Sequence, residues 1–509
     1  MGYVLYQLNK RTGGVLEKVV VMKRYHLYIN YGDTLTSFVS VLPIVFVLSL
    51  FLLALVGCGS EAAQTDTQGT GGKPTQVSGD GGETGSGLDY SLFSFPKETG
   101  KLTVYSNEDN LKSVLDPAIR IFREKYPEVE VDYEIYNQDE YGERVRAEIL
   151  AGRGPDLVLL ESVTLPDIYK TMSTGIFTDL NPYYVSDSEI DPADFLGQVM
   201  DGGVMNGKRY LAPLSYDTPL LATTRSILDE IGMSEDEVTT CDGFIRAAQR
   251  FRELHPEGDL YIDTCQITPY SANIRALILN FGFTLIDYEK NEVAVDEALF
   301  RSCMDLVKLY DDPDYDENDM SKMYLADRTY MIGGGLALKT CLFDNVTLSL
   351  LGMEQKLFNL RERGEELILL AQTNQFDGVT AEVCYSAAIP EGAANKRNAW
   401  RLLKILLSDE IQGRHDPDRF NLPYFWTGYP VRRESIKPYL STDISLMGVS
   451  DEDTERFIAA VQSPTDALLL PGIYRRYIQD SFLPYIRNEK PWEDCWKSFL
   501  NTLELYKDE

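Results

Sequence analysis

The sequence predicts an α/β fold, and three observations lead to this prediction. Apolar residues make up 44% and charged residues 25% of the 509 residues, as in ordinary globular proteins. Strand-like and helix-like patterns alternate from about Phe95 onwards. The third strand-like segment is continuously apolar, which is typical of a strand buried on both faces. Together these patterns predict β-α-β units around a sheet whose strands run mainly parallel.

The first unit opens with a strand over residues 101–105. Apolar residues then recur at helical spacing from Leu111 to Tyr126, and Pro127 ends that helix. Residues 129–135 alternate strictly between apolar and polar types, which predicts a strand with one solvent-facing side.

A second helix is predicted over residues 141–150, and it leads to the buried strand at residues 156–160. In open α/β sheets, ligands bind beyond the carboxyl ends of the strands. The polar residues that follow the first and third strands are therefore candidates for ligand contacts. They are Ser106, Asn107, Glu108, Glu161 and Ser162. The alternative is that these side chains cap the helices that follow.

The N-terminal segment has the pattern of a secretion signal. Residues 38–56 form an uncharged apolar run behind Lys23 and Arg24. The run ends in LVGC at residues 55–58, which resembles the lipobox of bacterial lipoproteins. The resemblance implies that residues 1–57 are a signal peptide, that it is cut before Cys58, and that the Cys58 thiol carries a lipid. Met22 is an alternative start, and an uncleaved transmembrane anchor is the alternative to the lipid.

Residues 58–95 are expected to be the lipidated cysteine followed by a flexible tether. The segment 59–87 is rich in Gly, Thr, Gln, Ser and Asp, and Val77 is its one large apolar residue. Such a composition cannot bury a core. The rest of the chain is then expected at the extracellular face of the bacterial cytoplasmic membrane, held there by the lipid anchor.

Charge and residue counts exclude several classes of function. Lys and Arg number 48 against 79 Asp and Glu, a net charge of −31 that repels phosphate backbones, so we expect no nucleic-acid partner. Three histidines are too few for a multi-His metal site. The cysteines after Cys58 have no CxxC spacing, which argues against zinc and favours free buried thiols over disulfides. We expect no metal and no cofactor.

Several segments between residues 100 and 506 follow a shared pattern in their order. They are GKLTVY (100–105), FREKYP with VEV (122–131), AGRGPDLV (151–158), GIFTDLNP (175–182), NGKRYLAP (206–213), YSAAIP (385–390), NAWRLLK (398–404), LSDEIQ (407–412) and YPVRR (429–433), followed by a Trp-containing terminal helix. Each resembles a segment of the extracellular solute-binding proteins of ABC importers, the family that includes maltose-binding protein.

The resemblance implies a two-lobe fold of the type II periplasmic-binding-protein class. Each lobe is a mainly parallel sheet flanked by helices, crossover strands join the lobes, and the ligand lies between them. Carried onto this sequence, the N-terminal lobe is residues 96–215 and 384–440, and the C-terminal lobe is residues 218–380 and 445–509. The crossovers fall near residues 213–221, 379–388 and 439–449.

The function implied is capture rather than catalysis. The lobes close on a small solute, expected to be a sugar or oligosaccharide, and deliver it to the permease subunits of an ABC transporter. The family places an acid in the first crossover, here Asp217 beside Tyr216, and a glycine turn at Gly334 and Gly335. Aromatic rings bind the apolar faces of sugars. This adds the candidates Tyr270, Tyr385, Trp426, Tyr429 and Tyr474. For each aromatic candidate the alternative is core packing, and we expect a monomer.

Two other classes of function stay open at this point. A surface glycoside hydrolase would need two carboxylates at a defined separation, and turnover of labelled oligosaccharides would reveal it. A ligand-sensing domain for a membrane kinase would share the fold, and neighbouring permease genes would favour transport instead.

Overall fold

The computed structural model describes residues 100–262, 277–311, 336–345 and 360–508, with short gaps within these ranges, and four short strands between residues 5 and 22. The chain divides into two compact units, residues 1–82 and 83–509. The lipobox, Cys58 and the tether lie outside the described residues. Of the helices that are described, none has the length and hydrophobicity needed to cross a bilayer.

The strands are β1 (Leu5–Leu8), β2 (Arg11–Thr12), β3 (Val15–Leu16), β4 (Val19–Met22), β5 (Lys101–Asn107), β6 (Glu130–Tyr136), β7 (Leu157–Glu161), β8 (Val204–Met205), β9 (Lys208–Arg209), β10 (Ala212–Asp217), β11 (Leu220–Thr224), β12 (Asp259–Ile262), β13 (Ile286–Asp287), β14 (Glu292–Val293), β15 (Cys341–Asn345), β16 (Leu367–Ala371), β17 (Thr380–Ala388), β18 (His415–Asp416), β19 (Leu422–Pro423), β20 (Tyr429–Pro430) and β21 (Asp466–Leu468).

The helices are α1 (Lys112–Lys125), α2 (Gln138–Leu150), α3 (Ile168–Ser173), α4 (Asn181–Ser186), α5 (Gly197–Asp201), α6 (Arg225–Ile231), α7 (Glu235–Val238), α8 (Cys241–Leu254), α9 (Glu297–Leu309), α10 (Lys396–Leu406), α11 (Asp409–Gln412), α12 (Arg433–Leu446), α13 (Asp451–Val461), α14 (Gly472–Ile486) and α15 (Trp492–Asp508). In the first unit of the chain, β1 pairs antiparallel with β4, and β2 pairs antiparallel with β3.

The opening of the second unit follows the predicted β-α-β-α-β order, with β5, α1, β6, α2 and β7 within a few residues of their expected bounds. The apolar positions of α1 explain why it is a helix: Val114, Leu115, Ala118, Ile119 and Phe122 are buried at helical spacing. Strand β7 is buried along its first four residues, as its continuous apolar sequence predicts.

The larger sheet has seven strands. Its order is β20-β10-β17-β7-β5-β6, and β21 also pairs with β17. Strands β6 and β7 run parallel to β5, and β21 runs parallel to β17, but β17 is antiparallel to β7, and β10 is antiparallel to both β17 and β20. The sheet is therefore mixed, and the expectation of mainly parallel strands was wrong. Strands β5, β6 and β7 are parallel because helices connect them in sequence.

The smaller sheet has four strands in the order β12-β15-β11-β16. It too is mixed, because β12 and β15 are parallel while β11 is antiparallel to both of its neighbours. The chain first passes from the larger to the smaller sheet between Asp217 at the end of β10 and Leu220 at the start of β11. This passage lies inside the segment expected for the first crossover.

The two later passages lie elsewhere than expected. The chain leaves the smaller sheet at Ala371 and enters the larger sheet at Thr380, so residues 372–379 make the second passage and all of β17 belongs to the larger sheet. Strand β21 still pairs with β17 in the larger sheet. The third passage therefore follows Leu468 instead of lying near residues 439–449, which are partly helix α12. A three-residue pairing such as that of β21 has no sequence pattern that would reveal it.

Aromatic side chains fill the core beside the smaller sheet. Phe343 of β15 stacks on Phe244 of α8 at 5.1 Å between ring centroids. Farther along, Phe300 of α9 lies 5.3 Å from both Phe482 of α14 and Phe499 of α15. Phe281 and Phe283 connect the two ends of this row. The C-terminal helices are thus packed on the side of the smaller sheet.

Helix α8 begins at a capping residue, which gives a first testable prediction. The Thr240 hydroxyl accepts a hydrogen bond from Gly243 N at 3.0 Å. Replacing Thr240 by Ala leaves that amide without its acceptor, so we expect a loss of about 1 kcal/mol in the free energy of unfolding, measured by urea denaturation. Thr502→Ala is the control, because the Thr502 hydroxyl bonds only the Ser498 carbonyl inside α15. Equal losses in both variants would contradict the capping role.

Candidate ligand site

Strands β5 and β6 end side by side at the carboxyl edge of the larger sheet. Ser106 and Asn107 are the last residues of β5, with 0% and 1% of their surface exposed. The Ser106 hydroxyl donates to the Asn107 carbonyl at 3.2 Å. Asn107 Oδ1 is buried and has no hydrogen-bond partner among the described residues. An unpaired buried acceptor is costly, so this oxygen is suited to accept a hydrogen bond from a ligand.

Tyr136 ends β6 directly beside Asn107 in the parallel register. Its ring packs edge-on against Tyr105 at 5.0 Å and stacks on Tyr141 at 5.9 Å. Burial, followed by a hydrogen bond to Glu134, raises the pKa of the Tyr136 hydroxyl well above its ordinary value. Tyr136 therefore stays protonated and neutral, and it gives this edge a rigid aromatic wall.

Glu161 ends β7 and is half-buried. Its backbone closes a turn with Thr164: the Glu161 amide donates to Thr164 Oγ1 at 3.1 Å, and the Thr164 amide donates to the Glu161 carbonyl at 3.0 Å. Burial raises the pKa of the nearby Tyr141 hydroxyl, and the Glu161 charge adds to that effect. The turn holds the Glu161 carboxylate at the same edge as Asn107 and Tyr136.

Asp217 is the last residue of β10, at the first passage between the sheets. It is 6% exposed and pairs in register with Glu382 of β17, which is 2% exposed. Residues directly opposite each other on antiparallel strands place their side chains on the same face. Two buried carboxylates therefore lie side by side where the chain changes sheets, and carboxylates accept hydrogen bonds from hydroxyl groups.

Three of the aromatic candidates lie in the core. Tyr216 is fully buried, its hydroxyl donates to the Val461 carbonyl at 2.8 Å, and its ring lies 5.9 Å from that of Tyr429. Tyr429 also packs against Tyr439 and Phe457. Tyr385 is 2% exposed in the middle of β17. Tyr216 and Tyr385 lie on the central strands β10 and β17, and Tyr429 lies on the edge strand β20, where Tyr439 and Phe457 cover it.

Asp217 lies close to this tyrosine pair. Burial raises the pKa of Tyr216 and of Tyr429 well above the ordinary value, and the negative charge of Asp217 is the next cause in both cases. Both hydroxyls therefore stay neutral. The two tyrosines are therefore neutral core residues rather than exposed stacking platforms.

Tyr474 lies on α14, on the side of the smaller sheet. It is 4% exposed, and its hydroxyl is 3.0 Å from the hydroxyl of Tyr288. The other candidates named from the sequence lie outside the described residues. They are Glu108, Ser162, Tyr270, Gly334, Gly335 and Trp426, together with the lipid-bearing Cys58.

Sequence reasoning missed Tyr136 and Glu382. Tyr136 carried a usable signal, because it is the last residue of an alternating strand and so ends at the same edge as Asn107. Glu382 carried none, since only the register of β17 against β10 places it beside Asp217.

Within the described part of the chain, no three His, Cys, Asp or Glu side chains gather closely enough to hold a metal ion. Cys241, Cys303, Cys341, Cys384 and Cys495 are free thiols, and all but Cys241 are buried. Burial raises the pKa of the Cys241 thiol to about 12, so it is protonated near neutral pH.

Residues 106–276 match the model of the bacterial extracellular solute-binding protein family, which confirms the predicted resemblance over that part of the chain. The fold is also similar to solved structures. For the sugar-binding protein MalE from Xanthomonas citri, identity is 17%, coverage is 80% of this chain and 97% of that chain, and the TM-score is 0.58.

Two further solved structures are similar in fold. A periplasmic oligogalacturonide-binding protein from Yersinia enterocolitica is 14% identical, with 80% of this chain and 99% of that chain covered and a TM-score of 0.55. A sugar transporter protein from Rhizobium etli, in an open conformation, is 15% identical, with 79% and 99% covered and a TM-score of 0.55. At these identities the likeness establishes the fold, which is the predicted two-lobe, type II binding-protein fold.

Proposed function

We propose that this protein is an extracellular, lipid-anchored solute-binding protein. It captures a small solute between its lobes and hands it unchanged to the permease subunits of an ABC importer. The solute is a sugar or oligosaccharide. The protein works as a monomer, without a cofactor, and the lipid on Cys58 holds it at the membrane.

The observation that carries the proposal is the pair of buried carboxylates at the first passage between the sheets. Asp217 and Glu382 lie where a ligand that reaches both lobes would sit deepest. Only such a ligand shifts the balance between open and closed lobes, because the shift equals its difference in affinity for the two states. Asn107 Oδ1, Tyr136 and Glu161 supply further contacts along the edge of the larger sheet.

The chemistry of this edge favours hydroxyl-bearing ligands. Carboxylates and an amide oxygen are acceptors, and a sugar offers many donors. The match of residues 106–276 to the solute-binding family supports the same conclusion. So do the sugar and oligogalacturonide ligands named for proteins of similar fold.

A thermal-shift screen tests the proposal. The purified full chain is melted with a panel of neutral mono- and oligosaccharides, uronic acid oligosaccharides, polyols, polyamines and peptides. A ligand present at about 100 times its Kd stabilises a binding protein by roughly 2.7 kcal/mol. We expect a clear rise in melting temperature with at least one neutral sugar. A rise with polyamines or peptides alone would contradict the sugar assignment.

The same panel separates binding from catalysis. Because Asp217 and Glu382 are adjacent carboxylates, a glycoside hydrolase is the competing function. We expect labelled oligosaccharides to be recovered intact after incubation with the protein. Any turnover that Asp217→Asn and Glu382→Gln abolish would establish an enzyme instead.

A further inference from the structure

A group of tyrosines connects the larger-sheet side of the structure to the smaller-sheet side. Tyr169 is the second residue of α3, the helix that follows β7. A helix that follows a parallel strand begins near the carboxyl edge of the sheet. Tyr169 therefore lies near the edge where Asn107 and Glu161 end their strands, at the mouth of the candidate ligand site.

Tyr169 contacts residues that pack with the smaller sheet. Its ring stacks on Tyr288, in the turn between β13 and β14, with centroids 5.0 Å apart and planes inclined by 22°. The Tyr288 hydroxyl in turn lies 3.0 Å from the hydroxyl of Tyr474 on α14. The Tyr169 hydroxyl accepts a hydrogen bond from Leu469 N at 3.0 Å, at the third passage between the sheets.

Two polar contacts lie beside this group of tyrosines, and we call all of these contacts together the seam. The Lys170 ammonium lies 3.9 Å from the ring centroid of Tyr506 and also donates to the Tyr506 carbonyl near the C-terminus of α15. A cation at that end of a helix is favourable, because the last carbonyls carry partial negative charge. On the other side, Asn206 N donates to Glu289 Oε1 at 3.1 Å.

We propose that this seam is a closing latch. It stabilises the closed arrangement of the lobes and so raises ligand affinity without contacting the ligand. Tyr169 and Tyr288 are then positioning residues that act through lobe closure, and their contribution is the same for every ligand the site accepts. The consequence for affinity depends on the proposed capture function, but the conformational effect does not.

The size of the effect follows from the contacts. Stacked aromatic pairs contribute enough that losing one changes an equilibrium by about two- to twelvefold. The apparent affinity of a ligand is set by the fraction of protein in the binding-competent state. Removing the Tyr288 ring should therefore shift the open-to-closed ratio by about two- to twelvefold toward open lobes.

Distances between spin labels test the latch without a ligand. Labels are placed on the full chain at Glu143 in α2 and Ala298 in α9, two exposed positions on opposite sides of the seam. Pulsed electron resonance then gives the distribution of label distances. We expect Tyr288→Ala to increase the population of longer distances. Tyr169→Phe, which removes only the acceptor for Leu469 N, should act in the same direction and serves if Tyr288→Ala does not fold.

Tyr126→Ala is the matched control. Tyr126 and Phe122 also have centroids 5.0 Å apart, but both residues lie on α1 or next to its end, on the side of the larger sheet. This variant should lower the melting temperature and leave the distances unchanged. Wild-type distances in both Tyr288→Ala and Tyr169→Phe, or shorter ones, would overturn the latch. If no sugar raises the melting temperature but the distances in the variants lengthen, the proposed function is overturned and the latch is supported.

Discussion

Replacing Asp217 by Ala is expected to weaken binding of the ligand by about tenfold or more. The Asp217 carboxylate is 6% exposed at the first passage between the sheets, where we propose that the ligand contacts both lobes. Hydrogen bonds to a charged group contribute roughly 1.5–3 kcal/mol, and 1.4 kcal/mol is already a factor of ten in Kd. Calorimetry with the sugar that gives the largest thermal shift measures the effect.

The control for this experiment is an exposed carboxylate away from the site. Glu455 is 62% exposed and pairs only with Lys437 among its described contacts. Glu455→Ala should leave Kd unchanged, and circular dichroism should show that both variants are folded. An unchanged Kd in Asp217→Ala would remove Asp217 from the ligand site. Removing Asp217 also relieves repulsion on Glu382, so the stability of the variant should not fall sharply.

The opening of the fold was predictable because local pattern decides it. Strand β7 is continuously apolar, β6 alternates, and α1 repeats its apolar positions at helical spacing, so each element carries its own signal. The passages between the sheets have a weaker sequence signal. Thr380–Ala388 forms one strand of the larger sheet, and β21 joins it through three register pairs that depend on the tertiary fold.

In the candidate site, too, some positions could be predicted from the sequence and others could not. Asn107 and Glu161 end parallel strands, so the rule that ligands sit at carboxyl edges places them from sequence, whereas Asp217 was indicated by the family resemblance. Tyr216 and Tyr429 share that neighbourhood, but their rings are buried in the core. The sequence did not predict this, because residue spacing does not say which face of a strand is covered. The Tyr169–Tyr288 contact joins residues 119 positions apart, beyond any local pattern.

The motif residue Asp156 shows how a family segment can serve structure rather than ligand. Its carboxylate accepts hydrogen bonds from Thr103 N at 2.9 Å, Asn395 N at 2.8 Å and Asn395 Nδ2 at 3.0 Å. It thereby ties β5 to the start of α10, which is separated from it by most of the chain. The ordering of the larger sheet, and hence of the ligand edge, depends on such buried acceptors.

Replacing Lys404 by Met is expected to lower the free energy of unfolding by about 3–5 kcal/mol. The Lys404 ammonium lies 3.0 Å from Asp187 Oδ2, and the two side chains are 8% and 0% exposed. Glu189 also pairs with Lys404, and Trp400 Nε1 donates to Asp187 Oδ2 at 2.7 Å. Met keeps the length of the side chain, but it leaves the Asp187 charge buried with only two N–H donors, the Trp400 indole and the Glu189 amide, and no cation. Removing one partner of a buried pair has this cost because the other charge stays desolvated.

Lys437→Met is the matched comparison. Lys437 pairs with Glu455 at 2.6 Å, but the two side chains are 63% and 62% exposed, so water replaces the lost partner. The change there should stay below about 1 kcal/mol. Guanidinium denaturation of both variants measures the difference, and the slopes should match that of the wild type. Similar losses in the two variants would mean that burial of Asp187 does not determine the energy of the pair.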